Sequence, residues 1–287
     1  MHRATKESNP NPSAAPRERA ADGRLTFDGV LRSEWIKLIS LRSIRWSVAL
    51  MLVLSWVGAV FLASAMRDTE FAGATSALVS QSATFSSNLT VLIMGVIGVL
   101  AITNEYSSGL IRSSLTAVPT RTPMFVAKGL VLASLALVVG ALSTFGGGLF
   151  AALVLGGDGL SALGDSAVLV SLLGTTLYLV LATLLSFGIG ALLRSSAGAI
   201  AVVVVLLFVS TLVFQILMVP GWAWVPEPLQ WLPAALGNGL SPPALLPADP
   251  PAEMRGVGYW AALGGLAAWA AAALVPAAVL LKTRDAT

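Results

Sequence analysis

Side chains able to perform covalent or metal chemistry are scarce in this chain. It has no cysteine, and its single histidine is His2, so thiol chemistry, a Ser/His/Asp set and an HExxH zinc motif are excluded. No GxxxxGK[ST] phosphate loop occurs, which excludes nucleotide hydrolysis by that route. We therefore predict that the chain is not an enzyme, with no metal site and no cofactor bound by the chain itself.

The polar segment that stands out is NEYSSGLIRSSLTAVPTRTPMFVAKG, residues 104–129, between two apolar runs. Its charged residues are Glu105, Arg112, Arg121 and Lys128. Ile111, Leu115 and Val118 recur at helical spacing, which predicts a short amphipathic helix over about 105–118. Asn104 is expected to cap its start and Pro119 to end it. Such a helix would present an apolar ridge that lipid need not cover.

Composition indicates an integral membrane protein. Hydrophobic residues make up 56% of the 287 residues and charged residues 11%, too few charges to cover a soluble protein of this size. A membrane-crossing helix needs roughly 20 apolar residues. Six stretches meet that length: 44–65, 82–103, 126–155, 168–193, 197–219 and 258–281. The predicted fold is therefore all-α and polytopic, with six transmembrane helices forming a domain over 44–287.

The distribution of cations predicts the orientation. With the N-terminus in the cytoplasm, six spans return the C-terminus to the same side, and 15 of the 17 Lys and Arg residues then lie inside. Only Arg67 and Arg255 fall outside, while Asp and Glu divide equally. This bias in cations alone is the positive-inside rule, so both termini are predicted to be cytoplasmic.

The predicted spans place no acidic or basic residue in their interior, since Lys128 is assigned to a span end. Ion-coupled transporters and proton pumps use ionisable groups at membrane depth, and ion channels use charged rings or filter loops. The cations are also scattered along membrane-proximal segments, unlike a nucleic-acid-binding face. The sequence therefore favours a helical bundle that a soluble partner drives.

Residues 1–27 are rich in Ala, Pro, Ser and Arg, which predicts a disordered cytoplasmic tail. Over 28–43, Leu31, Trp35 and Leu38 recur at helical spacing, and Asp28 could cap a helix there. Cations accompany them at Arg32, Lys37, Arg42 and Arg45. We predict an amphipathic helix lying at the membrane interface; the alternative is a charged flank with no further role.

The loop over 220–257 combines three tryptophans with repeated prolines. Trp favours the membrane interface and Pro interrupts a continuous crossing, so a short re-entrant or interfacial element is predicted around Trp231, Leu232 and Pro233. A simple aromatic anchor is the alternative.

The segment EYSSGLIRSSLTAVPTRTPMFVAKG resembles the region between the second and third spans of type-2 ATP-binding-cassette (ABC) exporter permeases. The matching positions are Glu105, Tyr106, Gly109, Leu110, Ile111, Leu115, Pro119, Arg121 and Lys128. Upstream, SEWIKLISLRSIRW resembles the start of such permeases, particularly actinobacterial ones, at Glu34, Lys37, Leu41 and Arg42. Ser107 and Ser108 depart from the family, whose members often carry Arg or Lys after the aromatic residue.

The resemblance implies that 105–118 is a coupling helix seated in a separate ABC ATPase subunit, which would bind ATP and magnesium. The residues implied to support or form this contact are Glu105, Gly109, Ile111, Arg112, Leu115, Pro119 and Arg121. It further implies a dimer with an identical or homologous permease in the bacterial cytoplasmic membrane, in contact with lipid. The expected function is export of a hydrophobic, amphipathic or lipid-like substrate. The alternative is a non-transporting anchor or sensor subunit driven by an ATPase.

Overall fold

Helices form all of the regular structure in the part of the chain that the computed structural model describes, which comprises residues 26–68, 75–107, 121–218, 226–241 and 257–283. In chain order they are α1 (Phe27–Ser40), α2 (Arg42–Met66), α3 (Thr75–Thr84), α4 (Ser87–Ser107), α5 (Arg121–Leu155), α6 (Gly157–Ala162), α7 (Ser166–Leu193), α8 (Ser196–Val204), α9 (Ser210–Met218), α10 (Pro226–Leu229), α11 (Pro233–Leu240) and α12 (Tyr259–Thr283). The predicted all-α class is confirmed for these residues.

Among the residues that the structure describes, five apolar helical segments are long enough to cross a membrane. They are Arg42–Met66, Thr75–Tyr106, Thr122–Leu155, Ser166–Leu193 and Tyr259–Leu281. The sixth predicted span, 197–219, is divided differently, because a π-helical stretch at Val205–Val209 separates α8 from α9. A π turn widens the backbone locally and interrupts the regular α-helical hydrogen bonding. Six spans, and the side on which the termini lie, therefore remain predictions.

Helix α7 lies at the centre of the bundle and packs against α4, α5 and α12. Small residues allow these close approaches. A Cβ added to Gly98 of α4 would lie 2.6 Å from the Thr183 carbonyl oxygen, and one added to Gly188 of α7 would lie 2.8 Å from the Ala273 side chain. The largest fully buried side chains in this core include Phe187, Met51, Met94, Ile102, Leu132 and Leu179.

Hydroxyl groups inside the bundle are bonded mainly within their own helices. Thr175, Thr183 and Ser186 of α7 each donate to the carbonyl four residues earlier, at 2.6 to 3.0 Å. Between helices, Ser143 Oγ donates to Ser55 Oγ at 2.7 Å. Because these groups satisfy one another or the backbone, they are compatible with an apolar surrounding.

Helix α11 packs against α7 and α12 in the region where the sequence predicts a re-entrant or interfacial element. Its Leu236 and Leu240 are fully buried, and Pro233 occupies its first turn. Just before it, Trp269 Nε1 of α12 donates to the Trp231 carbonyl oxygen at 2.9 Å. Trp231 and α11 are thus held against the long helices α7 and α12.

We expect Gly174→Ala to destabilise the protein, because the added methyl would fall on the Leu240 carbonyl oxygen and displace α11 from α7. Overpacking of this kind costs about 1–3 kcal/mol. Gly264→Ala is the matched control, since no atom lies within 4 Å of its added Cβ, and Ala favours a helix over Gly by about 1 kcal/mol. Thermal unfolding in detergent should show a lower midpoint for Gly174→Ala alone; equal midpoints would contradict this packing.

Candidate functional site

Four charged side chains from three helices meet at one end of the bundle. Lys128 Nζ of α5 donates to Glu105 Oε1 of α4 at 2.9 Å and to Glu34 Oε2 of α1. Lys37 Nζ, one turn after Glu34 on α1, lies 2.7 Å from Glu34 Oε1 and 3.5 Å from Glu105 Oε1. We call Glu34, Lys37, Glu105 and Lys128 the charge cluster. It links α1 to the end of one long helix and the beginning of the next.

Local structure places each member of the charge cluster. Thr26 caps α1 by accepting from the Gly29 backbone N–H at 3.3 Å, which corrects the prediction that Asp28 would do so. Within α1, Glu34 lies on the same face as Val30 and Leu38, and all three are buried. Helix α1 packs with this face against α5. The apolar face of α1 therefore contains a carboxylate, which Lys128 meets directly.

The charges of the charge cluster depend on one another because most of them are buried. Glu34, Glu105 and Lys128 are 4%, 8% and 6% exposed, whereas the Lys37 side chain is half-exposed. The two carboxylates and two amines sum to zero charge. Removing a charge from water costs several kcal/mol unless a hydrogen-bonded partner of opposite charge offsets it. Each buried charge here has such a partner, so the arrangement depends on all three helices being in place.

The pairing shifts the pKa of both charge-cluster residues on α1, Glu34 and Lys37. Burial by itself would raise the pKa of Glu34, but Lys128 and then Lys37 outweigh it, and the pKa lies below its ordinary value of 4.5. Burial by itself would lower the pKa of Lys37, but Glu34 and then Glu105 raise it above its ordinary value of 10.5. Both pKa shifts favour the charged forms of Glu34 and Lys37.

Further contacts fasten the same end of α4 to the junction between α7 and α8. The guanidinium of Arg194, which ends α7, lies 5.2 Å from the centre of the Tyr106 ring. Ser196 Oγ at the start of α8 donates to Thr103 Oγ1 at 2.9 Å. The end of α4 that carries Glu105 is thus also joined to the end of α7.

A cavity of about 330 Å³ lies beside the charge cluster. All four charged residues line it, together with Ser40, Asn104, Ala101 and the apolar residues Leu38, Leu41, Leu100, Val131 and Leu132. Within the described residues, Glu105 Oε2 has no hydrogen-bond partner, although it is buried. No three acidic or histidine side chains of the described chain lie close enough together to share a metal ion.

The residues predicted for the interfacial helix and for the outer loop differ in how far they are buried. Leu38 is buried, Lys37 is half-exposed, and Arg42 is exposed at the start of α2. Trp35 is 37% exposed and lies off the buried face of α1, so the predicted interfacial stripe of Leu31, Trp35 and Leu38 stays a prediction. In the outer loop, Trp231 is 47% exposed, Leu232 precedes α11 and Pro233 is buried.

The predicted coupling helix is mostly outside the described residues, including Gly109, Ile111, Arg112, Leu115 and Pro119. Its assigned start is described and was wrong, because α4 continues through Ser107 and therefore carries Asn104 and Glu105 in its last turn. Glu105 is turned to Lys128 there and does not start a new helix. Arg121 is the first residue of α5.

Sequence reasoning missed the pairing of Glu34 and Lys128. Both were matched to the resembling family, but neither was assigned a contact, and Lys128 was treated as a span end. In the structure it lies two turns inside α5 and is almost fully buried. The available signal was a glutamate in the run SEWIKL and a lysine in the otherwise apolar run FVAKGL.

We expect acid to destabilise the protein through Glu34. Its lowered pKa gives stability that is complete above 4.5 and is lost as the pH falls through the folded-state value. The Lys37 contribution is complete below 10.5 and is lost at higher pH. The unfolding midpoint should therefore fall as the pH drops below about 4.5. Glu34→Gln should flatten this acid dependence, and Glu227→Gln, on an exposed residue of α10, should preserve it. An unchanged slope in Glu34→Gln would contradict the assignment.

Matched substitutions compare how much each of the two lysines contributes to the free energy of unfolding. Lys128→Met leaves two carboxylates buried with less compensation and should cost about 3–5 kcal/mol of unfolding free energy. Lys37→Met removes a half-exposed partner and should cost no more than about 1 kcal/mol. Unfolding of the detergent-solubilised protein by sodium dodecyl sulfate measures both. Equal losses would show that burial does not distinguish the two amines.

Comparison with family models gives one match, to the family described as ABC-2 family transporter protein, over residues 30–210. The matched range is more than half of the chain and contains the whole charge cluster and the residues between α4 and α5. Comparison with curated proteins finds no match. The family is a membrane component of transporters and associates with a separate ABC ATPase. With its long apolar helices, this chain belongs to the ABC-2 transporter family and is a type-2 ABC permease subunit.

Proposed function

We propose that this permease exports a hydrophobic, amphipathic or lipid-like substrate, using ATP hydrolysis by a separate ATPase subunit. It works as a dimer with an identical or homologous permease in the bacterial cytoplasmic membrane, with both termini in the cytoplasm. The ATPase subunit holds ATP and magnesium, and it receives residues 108–120 of this chain. The resemblance of that segment to the coupling helices of type-2 permeases supports this assignment.

The charge cluster is the observation that carries the proposal. Glu105 lies two residues before the end of α4, and Lys128 lies near the beginning of α5, so their ion pair closes the chain on either side of residues 108–120. The ion pair between Glu34 and Lys128 connects α1 to α4 and α5 as well. A force applied to residues 108–120 would therefore move α4, α5 and α1 together. This is the mechanical linkage that a partner needs to move spans without entering the membrane.

Helix α7 extends this linkage into the bundle. It packs against α4 and α5 along most of its length, and its Arg194 end contacts Tyr106 next to Glu105. Closure of two ATPase subunits would press on residues 108–120 of each permease. The displaced α4 and α5 would then carry α7 with them, because close contacts such as Gly98 on Thr183 leave no room for independent sliding.

The character of the spans supports a substrate with little charge. In the described spans the acidic and basic residues lie toward the helix ends, and Lys128 is neutralised within the charge cluster. The buried hydroxyls of α7 largely bond to their own backbone. A strongly charged substrate would find few partners to offset its loss of water.

Substitutions in the coupling segment test the ATPase contact. Ile111→Asp and Leu115→Asp place a charge on the predicted apolar ridge, and each should reduce co-purification of the ATPase subunit at least tenfold. Ser113→Asp adds the same charge on the opposite side of the predicted helix and should leave co-purification unchanged. Correct membrane insertion is verified first for all three variants. If the two ridge variants retain the ATPase as well as Ser113→Asp does, the assigned contact is wrong.

A proteoliposome assay separates export from the anchor or sensor alternative. A substrate that stimulates the ATPase should also move across the membrane when both subunits are reconstituted. Lys128→Met should reduce movement and stimulation together, since it breaks the linkage between α4 and α5. ATPase stimulation with no movement of any tested hydrophobic or lipid-like compound would favour the non-transporting role.

A further inference from the structure

The cavity beside the charge cluster has the size of a small-molecule site. Its volume of about 330 Å³ falls within the roughly 300–1,000 Å³ of ligand clefts. Its wall is mixed, with the charge cluster on one side and Leu38, Leu100, Val131 and Leu132 on the other. Lys37 and Leu41, which are half-exposed and 43% exposed, form its open rim. A ligand could enter past α1 without separating the long helices.

Glu105, which lines this wall, has one carboxylate oxygen that lacks a donor and is closed to water. Glu105 is 8% exposed, and its Oε1 accepts from Lys128 and Lys37, while Oε2 has no hydrogen-bond partner within the described residues. A buried carboxylate oxygen left without a donor destabilises the structure, because it has lost its hydrogen bonds to water. A ligand that brings a charged N–H group to Glu105 would remove that cost.

The rim offers the opposite charge. Lys37 uses its amine on Glu34 and, at the longer distance of 3.5 Å, on Glu105. An ammonium group has three N–H donors, so at least one N–H of this half-exposed amine is free to meet an anion. The cavity thus presents an acceptor inside, at Glu105, and a donor at its mouth, at Lys37.

The net charge of the charge cluster indicates which class of ligand the cavity would accept. Since the charge cluster is neutral in sum, a simple cation or a simple anion would leave the cavity with a net buried charge. A ligand with one charge of each sign avoids this penalty. Its apolar remainder would lie on Leu38, Leu100, Val131 and Leu132. The cavity also lies at the ends of membrane-crossing helices, the level at which lipid headgroups reside.

We propose that this cavity binds an aminophospholipid through its phosphoethanolamine headgroup. The primary ammonium donates to the Glu105 carboxylate, which turns Oε2 toward the cavity to accept it, the phosphate accepts from Lys37, and the acyl chains leave along the apolar wall. A choline headgroup carries three methyl groups on its nitrogen and has no N–H to donate. The site is independent of the ATPase contact and does not require that lipid be transported.

Native mass spectrometry of the full-length protein with defined lipids tests the proposal. The protein should retain phosphatidylethanolamine at least tenfold more strongly than phosphatidylcholine of the same acyl composition. It should also prefer phosphatidylethanolamine to anionic phosphatidylglycerol. Glu105→Gln should abolish the preference over phosphatidylcholine, and Lys37→Gln should weaken binding of all three lipids.

A cavity-filling pair controls for effects on folding. Ala101→Leu places extra volume in the cavity without touching any charge and should lower phosphatidylethanolamine retention at least tenfold. Ala268→Leu makes the same change on the exposed side of α12 and should leave retention unchanged. If Glu105→Gln fails to fold, Ala101→Leu and Lys37→Gln decide the outcome.

Three results would overturn the proposal. Equal retention of phosphatidylethanolamine and phosphatidylcholine would show that no N–H donor is recognised. Stronger retention of phosphatidylglycerol would indicate attraction to surface cations only. Undiminished retention in Ala101→Leu, compared with Ala268→Leu, would place the lipid elsewhere on the protein.

Discussion

A lysine amine taken out of water is the constraint on which the inner arrangement of this permease depends. Lys128 is almost fully buried two turns inside α5, and its charge is offset by a carboxylate from α4 and another from α1. Neither acid is adjacent to Lys128 in the sequence. Because a buried ammonium without partners would cost several kcal/mol, the three helices have one favourable relative position. An amphipathic surface helix thereby becomes part of the bundle.

The rest of the bundle is held by a different kind of contact. Around α7, glycines and alanines bring helix backbones close together, and most of the buried hydroxyls bond within their own helices. Van der Waals packing of this sort is only weakly directional and gives rigidity over a long contact. The charge cluster fixes the relative position of the helices at one end of the bundle. Close packing then transmits a displacement of that end along the helices. This division suits a subunit that receives force at its surface and responds in its spans.

Much of this fold could be predicted from the sequence, since its signals are local. Length and apolar composition predicted the long helices, and helical spacing predicted α1. The same reasoning gave Glu34 no contact, because the spacing of apolar residues along a helix does not show which distant partner a carboxylate meets. It also began a helix at Glu105, where the backbone of α4 continues. The partner of Glu34 is Lys128, which lies 94 positions away in the sequence.

The sequence alone therefore determined the membrane class, the helical segments and the family to which the chain belongs, because each depends on composition or on short-range spacing. The tertiary structure decided which charges meet, which face of α1 is buried and where a cavity forms. Glu34, Glu105 and Lys128 are separated by as many as 94 positions, and no local pattern specifies their contact. Their pairing follows from the cost of burying each charge alone, and that cost exists only once the helices have packed.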